Sequence, residues 1–268
     1  MQALWNNPIF FKYRLLENRE YQRSKSSFWV RQMSLVWCVL VPLAFVAMLA
    51  LPEILDSISP VYSQEKLIGS LGRLAQSWLG ALSLSHFLVL LVAIGLSLHG
   101  TSAQVTAERE KKTFESLQST MMSATEIVNG RLAAGLWPVL RELTIVAPLA
   151  LVLGAVAGWG FKALLCIALL FSTVAFYGMV GLWSSYCCKS TQNSHRLACG
   201  VAGSLLILTP LASALMGSTL PMQLHPLYAS FSLTQGVAPV LLVTAFHVCA
   251  ASVLWLDALR RERSAVRI

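Results

Sequence analysis

"LACGVAGSLLILTPLASALMGSTLPMQLHPLYASFSLTQGVAPVLLVTAFHVCAASVLWL", residues 197–256, runs for sixty positions without an Asp, Glu, Lys or Arg. A helix that crosses about 30 Å of hydrocarbon needs roughly 20 apolar residues. This run therefore holds two crossings, joined by a connector near membrane depth. Shorter uncharged runs at 32–52, 74–107, 143–161 and 163–188 each hold one more. The reading is an all-α, polytopic membrane protein with six spans, at 32–52, 76–99, 137–158, 163–186, 197–219 and 236–257.

Composition agrees with this reading. Hydrophobic residues make up 56% of the 268 and charged residues 12%, against about 25% charged in soluble domains. Residues 32–52 read as a retained span, because their apolar run exceeds a signal-peptide core and ends in "LALPE" without a small-x-small site. The cysteines lie within spans or at their ends, and none falls in an outer loop, so no disulfide framework is implied.

Orientation follows from the basic residues outside the spans. Residues 1–31, the 108–131 loop, the loop after span four and the 258–268 tail hold sixteen Lys and Arg; the opposite side holds Lys66, Arg73 and Lys162. Both termini and the 108–131 loop are expected in the cytoplasm. The net charge of +8 thus reads as a topology signal at membrane ends, with no nucleic-acid partner.

The loop between spans two and three departs from its surroundings. "EREKKTFESLQSTMMSATEIVNGRLAAG", residues 108–135, carries eight charges between two almost uncharged stretches. Span two is expected to continue as helix through Val105 to Glu110. Phe114, Leu117 and Met121 then fall on one face of a short helix. Ser123-Ala-Thr-Glu126 is a capping-box pattern that starts a new helix leading into span three. The small apolar face needs cover. It packs on the protein's own helix ends or on lipid headgroups, or it docks into a soluble partner.

Glu108-x-Glu110-x-x-Thr113-x-Glu115-x-Leu117 resembles the "E-x-E-x-G-T-x-E-x-L" signature of ABC-2 type transporter permeases. The stretch from Thr120 to Leu132 is similar to the "T-P-L-S-x-x-E-I-x-x-G-K-L" that follows it in that family, and "NNPIFFKYRLLENR" is similar to the family's N-terminal opening. Lys112 stands where the family has glycine and Met121 where it has proline.

The resemblance implies a coupling helix in the 108–131 loop that seats in a cleft of a separate ABC ATPase subunit. Glu108, Arg109, Glu110, Thr113, Phe114, Glu115 and Leu117 would form that contact. It also implies an N-terminal interfacial elbow helix over 8–21 within segment 1–31, and a re-entrant connector over 220–236 inside the 32–257 transmembrane domain. A second permease copy would complete the transporter in a bacterial inner membrane. ATP and Mg would be bound by the ATPase partner and no cofactor by this chain. A phosphate-binding loop needs a Gly-Lys pair, and the sequence has none.

Two other classes compete with export. An intramembrane enzyme would need a nucleophile and base, or paired carboxylates, within the spans. The sequence offers His247 but neither G-x-S-G nor such a pair. A secondary transporter would carry matching broken repeats, and no repeat is evident. Arg141 and Glu142 are the charges that enter the third helix, either as a gating pair or as an interfacial anchor. His86 and His247 read as polar contacts between helices or as proton-relay groups.

Overall fold

The computed structural model describes residues 8–9, 86–113, 122–156, 160–232 and 236–265. Span 32–52, the outer loop at 53–73, most of the elbow segment, and Phe114, Glu115 and Leu117 lie outside them. Every element among the described residues is helical: α1 His86–Glu110, α2 Ala124–Val156, α3 Gly160–Cys187, α4 Thr191–Met216, α5 Leu220–Gln223, α6 Pro226–Ser232 and α7 Ala238–Ala265. Four of them, α1, α3, α4 and α7, are long and apolar enough to cross a membrane. They overlap the fourth, fifth and sixth expected spans and, over residues 86–99, the second. The third expected span overlaps α2 over residues 137–156.

The helices outrun the hydrocarbon lengths read from the sequence. α2 starts right after Ser123 and continues for 33 residues, so the helix expected to begin at the capping box and the third expected span, as far as residue 156, are one helix. α4 begins six residues before the expected span, where the Ser190 hydroxyl accepts the Asn193 N–H at 3.4 Å, and it ends at Gly217 in the left-handed conformation. α7 carries on through residues 258–265, which the charge pattern marks as a basic tail. In each case polar side chains extend the helix past its apolar part.

α3 stands at the centre, packed against α1, α2, α4 and α7. Two crossings explain how close α1 comes to α2 and to α3. A Cβ on Gly135 would lie 2.7 Å from the Gly100 carbonyl oxygen, and one on Gly181 would meet the Leu98 carbonyl at 3.0 Å. Missing side chains thus let backbones touch, the usual device where helices meet in lipid. Leu90, Ala93, Leu136, Val139, Leu143, Leu170 and Val174 form one core cluster across α1, α2 and α3. His247 accepts or donates at 3.2 Å with the Thr173 hydroxyl and stacks on Phe176, a polar contact between α7 and α3.

The outer faces are apolar. Ile207, Leu215 and Val253 are 65%, 79% and 65% exposed, a pattern that suits contact with hydrocarbon. The connector between α4 and α7 forms the short helices α5 and α6. His225 ties it down: the ring Nε2 lies 3.1 Å from the Leu206 carbonyl of α4, and Nδ1 accepts the Tyr228 N–H at 3.3 Å.

Candidate functional site

The ends of α1, α2, α3 and α7 that flank the 108–131 loop meet in a buried polar knot. Arg131 sits at its centre with no exposed surface. Its guanidinium donates to the Glu108 carboxylate of α1 at 2.6 Å, the Glu262 carboxylate of α7 at 2.7 Å and the Tyr186 hydroxyl of α3 at 2.8 Å. Tyr186 in turn donates to Glu262 at 2.7 Å. Burial works against the charge on Arg131, but Tyr186, Glu108 and Glu262 outweigh it, so the guanidinium holds its proton more tightly than an ordinary arginine. A planar fork with several donors suits this position, since it reaches three acceptors at once.

Above the knot, α1 is interrupted at Ala103 and resumes as Gln104–Glu110. The N–H groups of Val105 and Thr106 both donate to Ser185 Oγ of α3, at 2.9 and 3.0 Å. The Ser102 carbonyl accepts the Ser194 hydroxyl of α4 at 2.5 Å. Side chains from two neighbouring helices thus supply the bonds that the α1 ladder lacks, as buried backbone groups require. The Ser102 hydroxyl also contacts His195 Nδ1 at 2.5 Å, and His99, about one turn back along α1, stacks on His195.

The loop leaves α1 through a defined stop. The Lys112 N–H donates to the Arg109 carbonyl at 3.1 Å, and the Thr113 N–H to the Glu108 carbonyl at 2.9 Å. This is the Schellman pairing, and Lys112 takes a φ of 55° to make it. The chain re-enters helix through the expected capping box. The Ser123 N–H donates to the Glu126 carboxylate at 2.8 Å, and the Glu126 N–H donates to the Ser123 hydroxyl at 3.3 Å. Nearby, Ile9 of the N-terminal segment is buried against Ile127 and Met122.

The described residues named for the ATPase contact have intramolecular roles here. Glu108 is 3% exposed and paired with Arg131. Arg109 donates to the Cys188 carbonyl at 3.0 Å, satisfying the C-terminal end of α3. The Glu110 carboxylate accepts from the Thr191 N–H at 2.7 Å and from its hydroxyl at 3.0 Å, where the α4 dipole favours an anion. Thr113 closes the helix stop. Together they root the loop in α2, α3 and α4. Arg141 and Glu142 lie apart from the knot and pair with each other at 3.1 Å.

Sequence reasoning did not single out Arg131, Tyr186, Glu262 or Ser185 as site residues. Arg131 was visible as a lone cation in an apolar stretch, but Glu262 sits among three arginines and reads there as an ordinary surface charge. Asp257 is similar: it accepts the Trp183 indole N–H at 2.9 Å and pairs with Arg261 at 2.7 Å, tying α7 to α3. Comparisons with protein-family models, with curated proteins and with solved structures find no match.

Proposed function

We propose that this chain is the membrane permease subunit of an ATP-driven exporter, in which a separate ABC ATPase drives transport by displacing the 108–131 loop. The observation that carries this reading is the Arg131 knot. It joins both roots of the loop, Glu108 and Arg131, to Glu262 of the last helix and Tyr186 of the central one. A push on the loop is therefore delivered to α1, α2, α3 and α7 together. Rigid connection to several spans is what a coupling loop requires, and the motif resemblance over residues 108–132 supplies the kind of partner.

On this reading Phe114 and Leu117 anchor in an apolar cleft of the ATPase, and Glu115 meets its basic groups. The N-terminal segment acts as the interfacial elbow, and residues 220–236 form the re-entrant connector. The working unit is two permease copies with two ATPase subunits in a bacterial inner membrane, both termini cytoplasmic.

The full chain, purified from its native membranes, should carry along an ATPase whose hydrolysis is blocked by vanadate. Phe114→Asp and Glu115→Arg should each lose that activity from the preparation by tenfold or more while inserting at normal levels. A wild-type preparation that never brings an ATPase with it would defeat the proposal.

A further inference from the structure

The polar end of α7 divides its charges between two faces. Glu262 turns into the knot and meets Arg131, Ala258 and Leu259 are buried beside it, and Arg261 pairs with Asp257 at 2.7 Å. Arg260 and Arg263 lie on the outer face. Both are exposed, and neither makes a hydrogen bond or ion pair with any described residue. Asp257 feels the charge of Arg260, but the bonds of its carboxylate go to Arg261 and to the Trp183 indole.

These two arginines continue a stripe that is apolar lower down. At 100° per residue, Val253, Leu256, Arg260 and Arg263 fall within about 80° of one another around α7. Val253 is 65% and Leu256 51% exposed, and Cys249 is exposed one turn below. From Ala238 to Leu256 the helix is uncharged and rises about 28 Å, close to the thickness of a bilayer's hydrocarbon. Arg260 then lies about 6 Å and Arg263 about 10 Å beyond Leu256. The headgroup layer occupies about 5–8 Å there. Two indoles mark the same depth: Trp255 donates to Asn129 and Trp183 to Asp257, both at 2.9 Å, as tryptophans do at the edge of hydrocarbon. A helical Cα–Cβ bond tilts toward the N-terminus, so both arginines lean back toward the apolar stripe rather than out into water.

Orientation in a membrane asks for basic residues at the end of a span, but not for two unpaired ones on the face that bears exposed apolar side chains. We propose that the outer face of α7 holds one anionic phospholipid, with its phosphodiester between Arg260 and Arg263 and an acyl chain along Leu256 and Val253. Planar guanidinium groups match phosphate oxygens with paired hydrogen bonds, and the apolar stripe adds contact that a free phosphate would not gain. Glu262 stands between the two arginines in sequence. Its bonds to Arg131 and Tyr186 set the rotation of α7 and keep both guanidinium groups outward. The inference rests on α7 crossing a bilayer and not on the export reading.

The test is native mass spectrometry of the full chain in neutral detergent, titrated with dioleoylphosphatidylglycerol and, separately, with dioleoylphosphatidylcholine. The first phosphatidylglycerol should bind more tightly than phosphatidylcholine by about tenfold or more. Arg260→Gln and Arg263→Gln should each weaken it about fivefold, and the double variant about twentyfold. Lys189→Gln and Arg196→Gln remove the same charge from exposed positions beside and on α4, and should leave the affinity nearly unchanged. A phosphatidylglycerol with a diazirine on its acyl chain should cross-link within residues 249–256, and the double variant should lose that product. No preference for phosphatidylglycerol, equal weakening by the Lys189 and Arg196 variants, or cross-linking that ignores Arg260 and Arg263 would each overturn the inference. None of these measurements needs the ATPase, so a failure here leaves the export reading standing, and a failure of that reading leaves the lipid site standing.

Discussion

Lys112 adopts a φ of 55° at the end of α1, where an L side chain crowds the following carbonyl at about 1–2 kcal/mol. The conformation is imposed by the two bonds that close the helix, from Lys112 N–H to Arg109 and from Thr113 N–H to Glu108. Glycine relieves the crowding but loses more entropy on folding. Lys112→Gly should therefore stabilise the protein by a net of about 0.5 kcal/mol, read as a higher thermal midpoint in detergent, while Lys112→Val should lower it. A lower midpoint for the glycine variant would mean that the stop is not held this way. This is also the position where the resembling family has glycine. The motif departure noted in the sequence and the strained residue in the structure are the same residue.

Within single helices, the break in α1 at Ala103 depends on a neighbour. Ser185 is buried and takes both the Val105 and Thr106 N–H groups. Ser185→Ala would leave these donors buried without an acceptor, at about 1–3 kcal/mol. The expected result is lower hydrogen-exchange protection at Val105 and Thr106 and a lower thermal midpoint. Unchanged protection would show that α1 closes its own ladder. The start of α2 depends instead on its own sequence. Ser123, through its backbone N–H and then its hydroxyl, holds the Glu126 carboxyl below the ordinary glutamate range. A depressed folded-state value stabilises above the unfolded value and loses that contribution as pH falls through the folded one. Protection factors at residues 124–127 should therefore drop on acidification from pH 7 to below about 4. Ser123→Ala keeps the backbone N–H and loses only the hydroxyl, so it should show a smaller drop, and Glu126→Gln none. The helix stop at Glu110 and the capping box were legible because both are written in adjacent residues. The break at Ala103 was not, since nothing near it in the chain signals that Ser185, some eighty residues on, would supply the acceptor.

The Arg131 knot is a property of the assembled bundle. It holds two carboxylates and one guanidinium away from water, and removing the cation alone leaves both anions uncompensated. Arg131→Met should destabilise by about 3–5 kcal/mol, seen as a large fall in thermal midpoint. Replacing Glu108 and Glu262 with leucine in the same chain should recover most of that loss, because well-packed apolar groups often substitute for a buried ion pair. If the triple variant stays as unstable as Arg131→Met, the destabilisation comes from lost packing rather than from unpaired charge.

Hydropathy, charge runs and capping patterns determined that this chain builds long apolar helices, and where the polar loop leaves one and enters the next. These are short-range properties, set by which side chains neighbour one another along a helix. The tertiary structure alone decided what the charges do. Arg131 and Glu262 are 131 positions apart in sequence and 2.7 Å apart in space, and Glu108 is turned inward to meet them. A carboxylate's partner depends on which helix ends converge, and that follows from packing around α3, through contacts such as Gly100 on Gly135 that no local pattern encodes.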